Sequence, residues 1–234
     1  MIGTITNTAA IVAGAIIGSF LKKGIREEYK KALFIALGLC SLALGFNACC
    51  QNMPNSQHPV LFILSLALGA LAGYILKLDQ RFRRLVDGKK AATHTGEHRL
   101  SEGLSTGILL YCIGTFSIIG PVLSALYGDN TYLFVNSTLD LITSSVLATT
   151  YGIGMIWAAP VLFCWQGMFY MIAKISENAI TDDFRTELCI IGGVLIAASG
   201  LSILGIKDCK VINMLPAFFV VILFFVVKSL IGTL

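Results

Sequence analysis

Long apolar runs separated by short polar segments recur along the whole chain. Each run is close to the roughly 20 residues that a helix needs to cross a bilayer. The pattern predicts an all-α, polytopic membrane protein with about eight transmembrane helices in a single domain, residues 1–234. The predicted spans cover about residues 2–21, 32–49, 60–78, 104–126, 133–151, 155–175, 188–206 and 211–230.

Composition supports this class of protein. Apolar residues make up 56% of the chain and charged residues 13%, with a mean hydropathy of +0.82, whereas soluble domains contain about 25% charged residues. The seven cysteines show no C-x-x-C spacing, so neither a zinc site nor a disulfide framework is predicted. The expected partner is therefore the lipid bilayer, and no nucleic-acid partner is expected.

The positions of the positive charges predict the orientation. Lysine and arginine follow the first apolar run instead of preceding it, which indicates a retained first span with its N-terminus outside. Eight spans then place fourteen of the seventeen basic residues in cytoplasmic loops, including a basic loop at about residues 79–103, and both termini outside. The connector at residues 22–31 is predicted to be a short interfacial helix.

One carboxylate, Asp140, lies inside an apolar run that contains no Lys, Arg or His. A charge near the middle of a bilayer costs several kcal/mol unless a proton, a metal ion or hydrogen bonds stabilise it. On a helix, polar side chains at offsets of three and four residues share its face, and the first and sixth predicted spans each carry an amide side chain that could complete a site. The predicted ion or substrate site therefore comprises Asp140, Asn136, Thr138, Thr143, Ser144, Asn7 and Gln166.

Two purely structural alternatives also explain these residues. Asp140 can be a protonated acid that ties two helices together, and Asn7 can make an ordinary helix–helix hydrogen bond. Breaks in the neighbouring spans favour a site, because unwound backbone at membrane depth occurs where it lines a cavity. The Gly120–Pro121 step is predicted to kink or break the fourth span.

Other chemistry is weakly represented. His94 and His98 have the i, i+4 offset of metal ligands, but Gly96 weakens a helix there and no third ligand is evident, so no metal and no cofactor is predicted. The chain has no H-E-x-x-H or G-x-S-x-G motif and no second acid beside Asp140. We therefore do not expect an enzyme.

The first three and last three spans resemble each other in order and composition. Aligning residues 31–46 with 186–201 pairs Gly38 with Gly193 and Gly45 with Gly200. This alignment predicts an inverted repeat of three helices, spans 1–3 and 6–8, which is typical of secondary transporters. A rival pairing sets Asn7 against Asn136 and gives two parallel four-span halves.

Small-residue faces predict close helix packing, either inside the chain or in a homo-oligomer. The four glycines that form these faces are Gly14, Gly18, Gly69 and Gly73.

Several short motifs together resemble one bacterial family, the YdfK/YqgA-type integral membrane proteins, which are catalogued as a domain of unknown function. The motifs are GTITNTAA at residues 3–10, LGLC at 37–40, LD at 139–140, YGIG at 151–154, APVL at 159–162, QG at 166–167, GGVLI at 192–196 and NMLPA at 213–217. The resemblance covers nearly the whole chain and implies a multi-pass protein of the bacterial inner membrane. It supplies no catalytic residues.

The sequence leaves two classes of function. The first is an ion- or proton-coupled secondary transporter of a small solute, with Asp140 as the coupling site. The alternative is a channel or a structural scaffold with no transport chemistry at Asp140.

Overall fold

The computed structural model describes residues 1–21, 26–87, 104, 107–108, 110–112, 114–176 and 181–232. The regular elements in these ranges are all helical. They are α1 (Ile2–Phe20), α2 (Glu27–Asn52), a 3-10 turn (Met53–Asn55), α3 (Leu61–Ile75), α4 (Leu78–Asp87), α5 (Thr115–Tyr127), α6 (Thr131–Tyr151), a second 3-10 turn (Ile153–Trp157), α7 (Ala158–Ser176), α8 (Asp182–Ile203), α9 (Val211–Met214) and α10 (Ala217–Gly232).

The predicted all-α, polytopic class is confirmed. Five helical stretches in the described ranges are long and apolar enough to cross a membrane: Ile2–Phe20, Glu27–Asn55, Ile153–Ser176, Asp182–Ile203 and Val211–Ile231. Two further apolar helices, α3 and α5, are shorter. Helix α6 has the length to cross, with 21 residues, and differs from the others by its polar side chains.

The described helices cluster into two compact units whose segments alternate along the chain. Unit 1 comprises Met1–Phe34 and Phe82–Glu177, and unit 2 comprises Ile35–Arg81 and Asn178–Leu234. The sequence analysis predicted a single domain and gave no sign of this division. Each unit is described by itself below.

In unit 1, α1 and α6 pack tightly and run in the same direction. A Cβ on Gly14 would collide with the Leu141 carbonyl oxygen, and one on Gly18 would collide with the Ser145 carbonyl oxygen. Helix α7 runs the opposite way, because Met1 lies near Gly167 while Ile11 packs against the start of α7. These directions are those expected of the first, fifth and sixth crossings in a chain that alternates between faces.

In unit 2, two helix pairs pack antiparallel. Helix α2 crosses α8 where Gly38 faces Gly200 and Gly45 faces Gly193. Helix α3 crosses the last helical segment where Gly69 meets Ala217 and Gly73 meets Asn213. An apolar cluster fills the centre of this unit, and its buried members are Leu61, Ile191, Leu195, Ala217 and Val221.

The glycine faces proposed for an oligomer are thus occupied within the chain. Gly14, Gly18, Gly69 and Gly73 are all buried against neighbouring helices of the same chain. A homo-oligomer would need a different surface.

Three local expectations need correction. The break in the fourth predicted span lies at Gly114, whose extended backbone precedes α5, and α5 continues through Pro121. Proline removes only one backbone donor, and α5 is packed closely enough to tolerate that loss. The basic segment also begins as a helix, α4, where a loop was predicted. The predicted connector helix at residues 22–31 is instead partly the first turn of α2, and residues 22–25 lie outside the described residues.

Candidate functional site

Asp140 lies on α6 inside unit 1, with 5% of its side chain exposed. Its Oδ2 accepts two hydrogen bonds from amide side chains. Asn7 Nδ2 on α1 donates at 2.9 Å, and Asn136 Nδ2, one helical turn earlier on α6, donates at 3.0 Å. Two of the predicted site residues therefore contact the acid directly.

The hydrogen bonds continue from Asn136 to two further helices. Asn136 Nδ2 also lies 3.1 Å from Ser117 Oγ on α5, and Gln166 Nε2 on α7 donates to the same oxygen at 3.2 Å. Ser117 Oγ in turn donates to the carbonyl oxygen of Tyr111, across the break at Gly114. We call Asn7, Asp140, Asn136, Ser117 and Gln166 the polar network; its members come from four helices.

Tight packing of α1 on α6 explains why Asn7 reaches Asp140. Glycine at positions 14 and 18 lets the α1 backbone approach the carbonyl groups of α6. Ser144 Oγ then donates across the same crossing to the Ile11 carbonyl oxygen at 2.8 Å. An apolar cluster that includes Ile11, Tyr111 and Leu162 packs next to this crossing, so the network is enclosed by apolar side chains.

No positive charge neutralises the acid in the described part of the chain. The ion pairs found there join Arg26 to Glu28, Arg185 to Asp182 and Lys228 to Asp183, all outside the polar network. Among the described residues, the hydrogen-bond donors recorded for Asp140 are the amide groups of Asn7 and Asn136. An ionised carboxylate in such a position requires a cation or a proton to be neutral.

Several oxygen atoms of the site lack a hydrogen-bond partner among the described residues. Asn7 Oδ1 and Gln166 Oε1 are fully buried and accept nothing, although the amide nitrogens of both side chains are engaged. The hydroxyl group of Thr4 is buried and unpartnered in the same sense. Buried polar groups are normally satisfied, so each exception requires an explanation.

The remaining predicted residues occupy different positions. Ser144 is buried and lies beside Tyr111, which itself lies near Asp140. Thr138 is exposed, and its hydroxyl donates to the Phe134 carbonyl of its own helix. Thr143 is half-buried and makes no hydrogen bond to the network. Thus Asp140, Asn136, Asn7 and Gln166 come together, Ser144 is adjacent, and Thr138 and Thr143 stay apart.

Sequence reasoning missed Ser117 and Tyr111, which complete the network at the helix break. A signal was present, since Ser117 lies three residues after Gly114. A serine near a helix start commonly bonds to nearby backbone groups. The prediction failed because it placed the break at Gly120–Pro121, beyond these residues.

A second buried acid, Glu187, was also missed because it was assigned to an acidic connector. It lies on α8 in unit 2 and is completely buried. Its Oε1 accepts a hydrogen bond from Ser56 Oγ, and its Oε2 has no partner among the described residues. Ser56 Oγ also accepts from the His58 backbone N–H at 3.1 Å.

No group of three His, Cys, Asp or Glu side chains that could hold a metal ion occurs in the described part of the chain. The pair His94 and His98 lies outside the described residues. The oxygen-rich polar network is therefore the strongest candidate site.

Comparisons with known proteins agree on the family. A family model described as a protein of unknown function, DUF554, matches residues 2–226. The chain is 52% identical over 217 residues to the uncharacterized membrane protein YdfK of Bacillus subtilis, covering 93% of this chain and 92% of the relative. It is 28% identical over 224 residues to the uncharacterized protein YqgA of Escherichia coli, covering 93% of each chain. No solved structure matches the chain.

Proposed function

Since this chain belongs to the DUF554 family, whose function is unknown, we propose from the site itself that it is an ion- or proton-coupled secondary transporter of a small solute. Asp140 is the coupling site in this proposal. The observation that supports it most is the buried carboxylate, held by Asn7 and Asn136 without a positive partner in the described residues. Intramembrane acids of this kind usually belong to ion or proton pathways.

The helix break beside the network supports the same function. Residues 110–112 are helical, Gly114 is extended, and α5 begins at Thr115. Helix α5 has 13 residues, about 20 Å, and is too short to cross the roughly 30 Å hydrocarbon core alone. Discontinuous helices of this type form the substrate and ion sites of secondary transporters.

The glycine contacts of unit 2 support the predicted inverted repeat. The alignment makes Gly38 equivalent to Gly193 and Gly45 equivalent to Gly200. In the structure Gly38 faces Gly200, and Gly45 faces Gly193. Gly38 therefore contacts the equivalent of Gly45, and Gly45 contacts the equivalent of Gly38. A two-fold axis between antiparallel helices requires this reciprocal pattern. The parallel contact of α1 with α6 is compatible with both repeat pairings, because the first and fifth crossings have the same direction in each.

The structural alternative also has an observation in its favour. The polar network ties together α1, α5, α6 and α7 through side-chain hydrogen bonds, which a purely structural acid would do as well. This alternative predicts that loss of the Asp140 charge affects folding and leaves ion and solute movement unchanged.

Proteoliposomes test the proposal. We would record charge movement on a solid-supported membrane while imposing a Na+ or pH gradient and adding small organic anions, cations and zwitterions one at a time. The wild type should give a transient current with at least one solute only when the ion gradient is present. Asp140→Asn, which keeps the side-chain shape and removes the charge, should abolish that current.

Thr6→Val provides the matched control, because Thr6 is exposed beside Asn7 on α1 and bonds only to its own helix. Size exclusion would verify that each variant folds. The proposal is contradicted if Asp140→Asn gives solute currents as large as those of the wild type. An ion current that needs no solute and follows the gradient linearly indicates a channel instead.

A further inference from the structure

We infer that the ion bound at Asp140 is a monovalent metal cation, with Na+ as the first candidate, and not a proton alone. This inference rests on the proposed function, since it names the ion of the same site. The observations behind it are a buried carboxylate with no positive partner among the described residues and two buried amide oxygens there that accept no hydrogen bond.

Each amide nitrogen of the network donates at least one hydrogen bond. The amide nitrogens of Asn7 and Asn136 donate to Asp140 Oδ2, and the nitrogen of Gln166 donates to Ser117 Oγ. The only proton of the Ser117 hydroxyl goes to the Tyr111 carbonyl. By contrast, Asn7 Oδ1 and Gln166 Oε1, both on completely buried side chains, accept no hydrogen bond from the described residues.

A proton satisfies this arrangement poorly. Protonation of Asp140 adds one donor, whereas the unsatisfied amide oxygens belong to α1 and α7, on two different side chains. A cation can be approached by several oxygens at once, since its coordination shell is not limited to one acceptor.

The charge of the site selects a monovalent ion. Asp140 is the only acid in the network, so one positive charge makes it neutral, while a divalent ion leaves a net charge of +1 in an apolar enclosure. Carboxylate and carbonyl oxygens are the ligands that hard cations prefer. The candidate ligands are the Asp140 carboxylate and Asn7 Oδ1, which belong to hydrogen-bonded side chains.

The helix break offers a further oxygen. The Tyr111 carbonyl accepts one hydrogen bond, from Ser117, and a carbonyl oxygen has two lone pairs. Carbonyl groups at the ends of interrupted helices coordinate Na+ in secondary transporters of other folds. We therefore assign Asp140 and Asn7 as direct ligands and Ser117 and Gln166 as positioning residues.

Binding of radioactive Na+ to the purified full-length protein tests the inference, measured by scintillation proximity in choline-based buffer. The wild type should bind Na+ saturably, at about one ion per chain, and more weakly at lower pH, because protons compete for the Asp140 carboxylate. Asp140→Asn should abolish binding, and Asn7→Ala should weaken it about 10- to 100-fold. Thr6→Val should bind like the wild type, and parallel titrations with K+ measure selectivity.

Thermal unfolding followed by tryptophan fluorescence gives an independent readout that needs no variant. A ligand that binds only the folded state raises the midpoint with concentration, so Na+ should raise the wild-type midpoint above that in choline at equal ionic strength. The inference is overturned if the wild type shows neither saturable Na+ binding nor this shift, or if Asn7→Ala and Asp140→Asn bind Na+ like the wild type.

The two proposals fail separately. Absent Na+ binding together with an ion-driven solute current that still requires Asp140 leaves the transporter in place and makes the proton its coupling ion. Absent Na+ binding together with an unchanged current in Asp140→Asn removes both.

Discussion

Glu187 and Ser56 form a second buried polar contact, far from the polar network in sequence. The glutamate is completely buried, and within the described residues the Ser56 hydroxyl is the only hydrogen-bond donor that reaches it. Ser56 also accepts from the His58 backbone N–H, and the His58 ring lies 3.1 Å from Lys228, which lies 3.7 Å from Asp183. Ser56 thus connects the buried carboxylate to the segment that carries His58.

Removal of the serine hydroxyl should destabilise the protein. Ser56→Ala leaves a buried carboxylate without its donor, and we expect a loss of about 1–3 kcal/mol in the free energy of unfolding. In a Glu187→Gln background the same change should cost about 1 kcal/mol or less, since the acceptor is neutral. Chemical denaturation in detergent of the four proteins of this cycle measures the coupling. Equal costs in both backgrounds would show that the charge of Glu187 adds nothing to the strength of the contact.

At the level of single residues, sequence reasoning worked where chemistry was unusual for its surroundings. Asp140, Asn7 and Gln166 are polar groups in apolar runs, and all three belong to the polar network. Thr138 does not belong to the network, because its hydroxyl bonds to the backbone of its own helix and needs no partner elsewhere. Glu187 was missed because its hydrogen-bond donor, Ser56, lies 131 residues away in the chain, and no local pattern reveals such a contact.

Among the helices, the crossing of α1 and α6 determines whether the site exists. It is a parallel contact made possible by Gly14 and Gly18, and it brings Asn7 to Asp140. Small residues at helix interfaces in membranes allow close van der Waals contact, which is the main attraction between helices there. The geometry of the site therefore depends on residues that bear no functional group.

A large side chain at Gly18 should separate the two helices. Gly18→Leu would place its Cβ against the Ser145 carbonyl and the Ala148 Cβ, and overpacking of this kind costs about 3 kcal/mol or more. We expect a lower thermal midpoint and loss of Na+ binding. Ala9→Leu, at an exposed position of the same helix, should change neither. A Gly18→Leu protein with wild-type stability would mean that the crossing is looser than described.

Helix existence was predictable from the sequence, whereas the position of the break was not. Apolar runs of membrane length predict α1 to within one residue, because hydrophobic length is read directly from the chain. Helices α2 and α8 begin at Glu27 and Asp182, about five and six residues before the predicted spans, because their first turns are polar. Both Pro121 and Gly114 are candidate breaks in the fourth predicted span. In the structure the helix continues through Pro121, and the extended residue is Gly114. The apolar residues of α4 have the spacing of an amphipathic helix. The many charges of this segment led to the prediction of a loop instead.

For the whole molecule, helix directions within each unit match an alternating path of eight crossings. Contacts at either end agree as well. In unit 1 the Gly3 N–H donates to Asn130 Oδ1 at 3.1 Å, and both residues are predicted outside. In unit 2 the Asp79 N–H donates to Asn213 Oδ1 at 2.8 Å, and both are predicted at the cytoplasmic side.

Labelling with a membrane-impermeant maleimide tests this topology. In a cysteine-free background, Asn55→Cys and Asp129→Cys should react in intact cells, because both loops are predicted outside. Asp208→Cys should react only after the membrane is permeabilised. Reaction of all three before permeabilisation, or the reverse pattern, would overturn the orientation.

Helix directions within each unit agree with alternating crossings, yet the division into two units was invisible in the sequence. Each unit assembles from segments that are distant along the chain, and hydropathy reports only on neighbouring residues. The repeat alignment identified one of these long-range relations, because it matched α2 with α8, and these two helices pack together.

The Ser117 hydroxyl has no spare bonding capacity. It accepts from Asn136 and Gln166 and donates to Tyr111, which uses its two lone pairs and its proton. A swing of the chain about Gly114 would act on the Ser117–Tyr111 bond, and the same hydroxyl accepts from Asn136, which binds Asp140. In the proposed transporter, movement at Gly114 would therefore be linked to the occupancy of the acid, and the two cargoes would move in fixed proportion.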